Sequence, residues 1–190
     1  MRLVDVLCDI PPSSSIMGYY DIDDILADSE KVPCRFTLTV PGLGYLEGNP
    51  GKAIEKDTKV ELPMWLAEVL ATSLVSAGTE DSFVELLQPE FVGPRVLNAI
   101  RADPTSVDLH TIASNFYRLA EKWSALFNDT ELVEVVMAML KERAVEIDNY
   151  ASNTSNLVNS NFLYSLDEFE RALYRATYES KKQMRTWGNT

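Results

Sequence analysis

Asp108 and His110 are the residues whose types and spacing come nearest to catalytic chemistry. A carboxylate two positions from an imidazole can orient a general base, so one hypothesis is a small hydrolase or transferase that uses this pair. The chain contains no G-x-S-x-G nucleophile motif, and its single histidine is too few for a multi-histidine metal site. We therefore interpret His110 as a structural residue near a helix start and keep the enzyme as the alternative hypothesis.

Two other patterns resemble ligand-binding loops without completing them. Gly42-Leu-Gly44 begins like a dinucleotide-binding fingerprint, but the third glycine would stand at Glu47. The segment ending at Gly51-Lys52 lacks both the first glycine and the final Ser or Thr of a phosphate loop. The acids of residues 21–24 lack the glycine of a calcium-binding EF-hand loop. We interpret the glycines as turn residues and predict no cofactor, no metal and no small-molecule ligand.

Charge and cysteine content exclude further classes of function. The 190-residue chain carries 17 Lys and Arg against 29 Asp and Glu, a formal net charge of -12. Such a surface repels phosphate backbones, which argues against direct sequence-specific binding of nucleic acid and against a single-strand DNA clamp. Cys8 and Cys34 are too few for a disulfide framework, so we expect a reducing compartment. No stretch is long and apolar enough to predict a membrane span.

The last predicted helix gathers five basic side chains among four acidic ones. Five minus four gives a net charge of only +1, so we interpret this segment as a solvated face or a contact to an acidic neighbouring subunit. The basic residues are Arg171, Arg175, Lys181, Lys182 and Arg185.

The first elements that position these residues belong to a small β-rich domain over residues 17–62. Asp21 is predicted to cap a short helix that carries Ile22, Ile25 and Leu26 on one side. Alternating apolar and polar residues from position 32 to position 40 predict a half-buried strand. Tyr45-Leu46 is a candidate short return strand, and residues 59–62 predict a final strand.

Everything after Leu62 is predicted to be helical, as a domain over residues 63–190. Residues 83–87 form a short helix or an extended piece. The predicted helices are one that begins at Pro63, a short one over residues 94–102, one long central helix over residues 104–127 and a second long helix over residues 130–148. The polar residues 76–82 are predicted to be a loop.

The end of the chain adds a loop and one more helix. Residues 149–161 are rich in Asn and Ser and predict a flexible loop. Ser165 and Glu168 fit a capping box that starts the last helix, with Phe169 among its inner residues. The predicted fold class is thus α+β, mostly α, with a small N-terminal β-rich module followed by a helical-bundle domain.

The apolar arcs of the two long helices are wider than one packed neighbour requires. A plain bundle core is the alternative, but two such helices in a short chain exceed what a few others can cover. We therefore predict that part of this surface is buried by a partner, and we take Lys122 as an ordinary surface residue. The interface candidates are Phe116, Tyr117, Trp123, Val135 and Met139.

Six stretches together resemble the GINS family, in the order in which that family has them. They cover residues 17–127 closely, and the match to the end of the chain is weaker. The stretches are Tyr19-Tyr-Asp-Ile-Asp-Asp-Ile-Leu26, Val32-Pro-Cys-Arg-Phe36, Pro41-Gly-Leu-Gly-Tyr-Leu-Glu47, Leu62-Pro-Met-Trp-Leu-Ala67, Phe83-Val-Glu-Leu-Leu87 and Asp103-Pro-Thr-Ser-Val-Asp-Leu-His110.

The resemblance implies a nuclear, non-catalytic scaffold subunit of a heterotetramer with three sister GINS subunits. It also implies that the tetramer joins the MCM ring and the Cdc45 protein to form the eukaryotic replicative helicase, in which the MCM subunits hydrolyse ATP. Similar chains begin near Met17, so residues 1–16 are expected to be a flexible extension or to arise from a misassigned start codon.

Overall fold

The structure is a computed structural model that describes residues 20–74, 82–153 and 161–188. The predictions for residues 1–16 and for most of the loops at 76–82 and 149–161 lie outside these ranges. The helices are α1 (Ile22–Ser29), α2 (Met64–Thr72), α3 (Pro94–Ala102), α4 (Leu109–Ile112), α5 (Phe116–Phe127), α6 (Thr130–Ser152), α7 (Asn161–Tyr164) and α8 (Glu168–Gly188), and the strands are β1 (Lys31–Phe36), β2 (Lys59–Pro63) and β3 (Val84–Leu86). The predicted fold class is confirmed: a small antiparallel sheet near the N-terminus is followed by helices.

The sheet has three antiparallel strands in the order β2-β1-β3. In the central strand, Val32, Cys34 and Phe36 are buried, as their alternation with polar residues predicts. For residues 83–87 a short helix or an extended piece was predicted, and the extended alternative is the one that forms, because Leu86 is the partner of Cys34 in the β1–β3 ladder. A buried central strand needs hydrogen-bond partners on both edges, and β3 supplies the second set.

Residues 44–47 form a 3-10 helix, so the return strand predicted at Tyr45-Leu46 is wrong. Gly44 donates its N–H to the carbonyl of Lys52 at 3.0 Å, and its own carbonyl accepts from Asn49 at 2.8 Å. A Cβ atom on Gly44 would lie 2.3 Å from the Asn49 carbonyl oxygen, so a side chain has no room. The glycines of this segment are therefore turn residues, as predicted.

The prediction of one long central helix over residues 104–127 is wrong, because the helix is interrupted. Its two helical parts are α4 and α5, and the extended backbone at Ala113 separates them. At the interruption, the carbonyl of Ser114 accepts from the N–H of Glu168 at 3.0 Å. In a continuous helix the Ser114 carbonyl would accept a hydrogen bond from within the helix. Here it accepts from the start of α8, so a tertiary contact overrides the local preference for helix.

For the later helices, the predicted bounds of α3 are confirmed, whereas the predicted end of the second long helix and the predicted start of the last helix are wrong. The short helix α3 has the predicted bounds. Helix α6 runs to Ser152, so residues 149–152 are helical and not part of a loop. Helix α8 is capped by Asp167, whose Oδ1 accepts from the Glu170 N–H at 2.9 Å, and the predicted capping box of Ser165 and Glu168 does not form. Phe169, predicted on the inner face of α8, is exposed.

The buried apolar residues of the sheet and of the first helices form one continuous cluster. Helix α2 packs on all three strands, α5 and α3 pack on α6, and α8 packs along α6. The sheet and the helical bundle therefore share a core. The division at residues 17–62 and 63–190 stays a prediction.

Candidate interaction surfaces

The five predicted interface residues divide into three that the chain itself buries and two that it half-buries. Phe116, Trp123 and Met139 lie in the core of the described structure. Tyr117 and Val135 are partly buried and pack against that core. Whether any of the five contacts a partner stays a prediction, but a buried side chain offers a partner little surface.

Two of the buried candidates, Phe116 and Trp123, belong to an aromatic cluster in the core. Phe91 meets Phe116 edge to face at 6.5 Å between ring centroids, and it meets Trp123 in the same way at 6.2 Å. Such edge-to-face pairs stabilise a core beyond the burial of their area. Phe91 comes from the 3-10 turn before α3, an element that the sequence reading did not include in the helical core. The wide apolar arc of the central helix is thus covered partly from within the chain.

The sequence reading missed a buried ion pair at the centre of the bundle. The Arg143 guanidinium donates from Nε to Glu170 Oε1 at 2.7 Å and from Nη2 to Glu170 Oε2 at 2.8 Å, and neither side chain is exposed. Nη1 donates to the carbonyls of Pro104 and Val107, both at 3.0 Å. One side chain thus joins α6, α8 and the loop before α4. The sequence feature that could have predicted this burial is the position of Arg143, four residues after Met139 and therefore on the same buried face of α6.

Two further polar side chains complete this buried group. Tyr117 donates its hydroxyl to Glu170 Oε1 at 2.7 Å, and burial together with the nearby Glu170 charge raises the pKa of the Tyr117 hydroxyl. Burial raises the pKa of the Asp167 carboxyl to about 7, although backbone N–H donors from Glu170 and Tyr117 oppose the shift. The group holds two carboxylates and one guanidinium, so one carboxylate lacks a cationic partner within it.

The structure gives Asp108 and His110 structural roles. Asp108 is the N-cap of α4, where Oδ1 accepts from the Thr111 N–H at 3.1 Å and Oδ2 accepts from the Thr111 hydroxyl at 2.7 Å. The hydrogen bond from the Thr111 side chain lowers the pKa of the Asp108 carboxyl. His110 is exposed, and its backbone N–H donates to the Ser165 carbonyl. The carboxylate that a catalytic base would need is engaged in capping, so nothing supports the hydrolase hypothesis.

The basic residues of α8 are largely engaged within the chain. Arg171 pairs with Glu168 at 2.7 Å, and Lys181 pairs with Asp148 of α6 at 2.6 Å. Arg185 donates to the carbonyl of Ser152. The contacts of Lys181 and Arg185 fix one side of α8 onto α6, whereas Arg171 pairs within α8, so the predicted solvated face is partly an internal contact.

Lys122 was predicted to be an ordinary surface residue, and the structure shows that this prediction is wrong. Its ammonium lies 2.9 Å from Asp24 Oδ1 and also contacts Asp28, and both acids belong to α1. Lys122 is therefore not an ordinary surface residue, because it attaches α1 to α5.

Apolar residues form a row along α8, and all of them except the half-buried Leu173 are exposed. Met184 and Trp187 are 69% and 82% exposed, and Phe169 is also exposed although its ring contacts Tyr117. We call this row the α8 stripe; its members recur at helical spacing and are Phe169, Leu173, Ala176, Met184 and Trp187. Neighbouring exposed apolar side chains such as Met184 and Trp187 mark interaction sites more often than scattered single residues do.

A metal cluster and a membrane-spanning helix are both absent from the described ranges. No group of three or more His, Cys, Asp or Glu side chains in residues 20–74, 82–153 and 161–188 is placed to hold a metal ion. None of the helices in these ranges has the length and apolar character needed to span a membrane.

Comparison with known proteins defines the class of this chain. Residues 91–189 match the family model of the GINS complex protein helical bundle domain, and residues 20–72 match that of the PSF3 N-terminal domain. The protein named DNA replication complex GINS protein PSF3 from Debaryomyces hansenii is 60% identical, over 90% of this chain and 97% of its own length. Proteins with the same name from Candida albicans and Saccharomyces cerevisiae are 51% and 44% identical, over 90% of this chain and at least 97% of their own lengths.

The fold and these matches define a GINS helical-bundle protein. Within that class, the chain belongs to the PSF3 family. The resemblance found in the sequence is thus confirmed, and so is the prediction that the chain is a non-catalytic component and not an enzyme.

Proposed function

We propose that this chain is a scaffold subunit of a nuclear GINS heterotetramer that acts in chromosomal DNA replication. Three sister GINS subunits are its direct partners, and the MCM ring and Cdc45 are its partners through the assembled complex. The names of the relatives, which describe a DNA replication complex GINS protein, support the proposal. Direct sequence-specific contact with nucleic acid, contact with a membrane and a small-molecule ligand form no part of it.

The α8 stripe is the observation that carries this proposal. Its Met184 and Trp187 expose most of their side chains to water, at a cost of about 25 cal/mol for each Å² of apolar surface. A sister helix packed along the stripe would recover that free energy. Val133 and Met137, exposed one turn apart on α6, offer a second row that a partner can cover.

The mechanism of such a subunit is differential binding. A scaffold favours one arrangement of its partners only if it makes contacts there that other arrangements lack. The rigid bundle, fixed internally by Arg143 and Glu170, would hold its exposed rows in a constant geometry, so that a sister subunit meets a preformed surface. Tyr117 and Val135 remain interface candidates because they are half-buried, whereas Phe116, Trp123 and Met139 would act by supporting the surface from within.

The test is co-expression of the tagged chain with the three sister subunits, followed by affinity purification and size-exclusion chromatography. The double variant Met184→Ser/Trp187→Ala should reduce the recovered tetramer at least about tenfold, since hot-spot aromatic residues contribute 2 kcal/mol or more. The matched control is Lys182→Ala on the same helix, whose exposed ion pair with Glu179 has little stabilising effect. Equal tetramer recovery from the double variant, with unchanged helical circular dichroism, would contradict the proposal.

A further inference from the structure

Helix α1 is attached to the rest of the chain by its acidic side. Asp21 Oδ2 accepts from Arg118 Nη2 of α5 at 3.1 Å, and Asp24 and Asp28 both contact the Lys122 ammonium of the same helix. These three acids lie on one side of α1, at positions separated by three and four residues. The only α1 residue that is fully buried is Ala27.

The apolar side of α1 consequently faces solvent. Ile22, Ile25 and Leu26 are 69%, 53% and 48% exposed. Their spacing of three and four residues places them on one face of the helix, opposite the acids that contact α5. An amphipathic helix normally packs by its apolar side, so this arrangement leaves uncovered the face that most favours burial.

Helix α2 packs against α1 and carries further exposed apolar residues. The carbonyl of Glu30, just after α1, accepts from the N–H of Met64 at the start of α2 at 2.8 Å. Trp65 and Val69, one turn apart on α2, are each 53% exposed. We call these side chains together the α1–α2 surface; its members are Ile22, Ile25, Leu26, Trp65 and Val69.

The charges around the α1–α2 surface are predominantly acidic. Asp23 on α1, Glu30 between the helices and Glu68 on α2 are exposed, and none of them forms an ion pair within the part of the chain that the structure describes. Lys31 is the exposed base next to Glu30. A partner with an apolar centre and basic flanks is therefore complementary to this surface. A second copy of the same surface is not, because it would place one acidic rim against another.

We propose that the α1–α2 surface binds an apolar segment flanked by Lys or Arg residues, from a sister GINS subunit. The surface is separate from the α8 stripe, because the apolar side of α1 is directed away from α5 and the bundle. The chain therefore meets its sister subunits through this surface in addition to the exposed rows on α8 and α6. This inference rests on the proposed function, since the partner is a member of the same tetramer.

The test uses the complex of all four subunits, with the photo-crosslinking residue benzoyl-phenylalanine placed at position 25. Peptide mapping should locate the crosslink on a sister subunit, in an apolar segment with Lys or Arg within one helical turn. A crosslink to a second copy of this chain, to an acidic segment of a sister subunit, or no crosslink in a fully assembled complex would overturn the inference.

Binding measurements provide the second readout. Ile25→Asp should weaken the affinity of the chain for the sister subunits at least tenfold, whereas Val145→Asp, at an equally exposed β-branched residue of α6, should change it less than threefold. Asp23→Lys with Glu30→Lys should slow association at low salt, because complementary charges act mainly on the association rate. Unchanged affinity of Ile25→Asp overturns the inference and leaves the proposed function intact. Failure of the wild-type chain to join sister subunits would instead overturn the proposed function.

Discussion

Arg143 and Glu170 form a bidentate ion pair that is completely buried between α6 and α8, with N–O distances of 2.7 and 2.8 Å. The same guanidinium also lies 5.0 Å from the centroid of the Phe162 ring in α7. A charged pair can be held in a protein interior only if its hydrogen bonds are satisfied, and here all three guanidinium nitrogens donate. The pair thus fixes how the C-terminal helix meets the bundle, and with it the orientation of the α8 stripe.

Removing one partner of this pair should destabilise the chain strongly. Glu170→Gln removes the carboxylate that pairs directly with buried Arg143, so the free energy of unfolding should fall by about 3–5 kcal/mol. Urea titration followed by tryptophan fluorescence measures this change. The double variant Arg143→Met/Glu170→Met removes both charges and should lose less stability than the sum of the two single Met variants. Additive losses would show that the two side chains do not act as a pair.

Asp167 should make stability depend on pH near neutrality. Its carboxyl pKa is about 7 in the folded chain because of burial, and about 3.9 in the unfolded chain. A raised folded-state pKa stabilises the chain fully below about pH 4, and this contribution is lost as pH rises through about 7. The unfolding free energy of wild type minus that of Asp167→Asn should therefore decrease from pH 4 to pH 7. A difference that stays constant over this range would refute the assignment.

Trp123→Ala should destabilise the chain itself. The residue lies in the core against Phe91, so its truncation leaves a cavity and should lower the free energy of unfolding by about 3–5 kcal/mol. Recovery of the tetramer should fall as a consequence. The matched control on the same helix is Glu121→Ala, at an exposed residue, which should change stability by less than about 0.5 kcal/mol. If Trp123→Ala abolished assembly without any loss of stability, Trp123 would be a contact residue and not a core residue.

Lys122→Ala should loosen α1. Without the ammonium that contacts Asp24 and Asp28, amide hydrogens of residues 22–29 should exchange about fivefold faster, which corresponds to the upper range for exposed ion pairs. Mass spectrometry of the exchanged peptides measures this effect. Lys141→Ala, at an exposed lysine of α6, should leave the exchange of α1 unchanged. Equal exchange of α1 in both variants would show that the ion pairs do not hold the helix.

Local signals in the sequence predicted the elements that depend on neighbouring residues. The Asp21 cap of α1, the alternation of β1 and the bounds of α3 all follow from residues within one or two turns. The small sheet before a helical bundle follows from the same periodicities. These features could be predicted because short-range hydrogen bonding and side-chain spacing determine them.

Features that depend on distant residues could not be predicted in this way. The central helix divides at Ala113 because Ser114 bonds to Glu168, more than fifty positions along the chain. Arg143 is buried because Glu170 is placed opposite it by the packing of α8 on α6. Interface candidates chosen from apolar arcs alone were largely core residues, since the sequence does not show that Phe91 covers them. Exposure, and not apolarity, distinguishes a contact surface from a core.

Co-expression tests the central claim most directly. The chain should be produced alone and together with its three sister GINS subunits, and both preparations should be examined by size-exclusion chromatography with light scattering. We expect the chain alone to aggregate or self-associate through its exposed apolar surfaces, and together with its sister subunits to elute as a four-chain complex of one copy each. A stable, monodisperse monomer that stays separate from the three sister subunits would contradict the account.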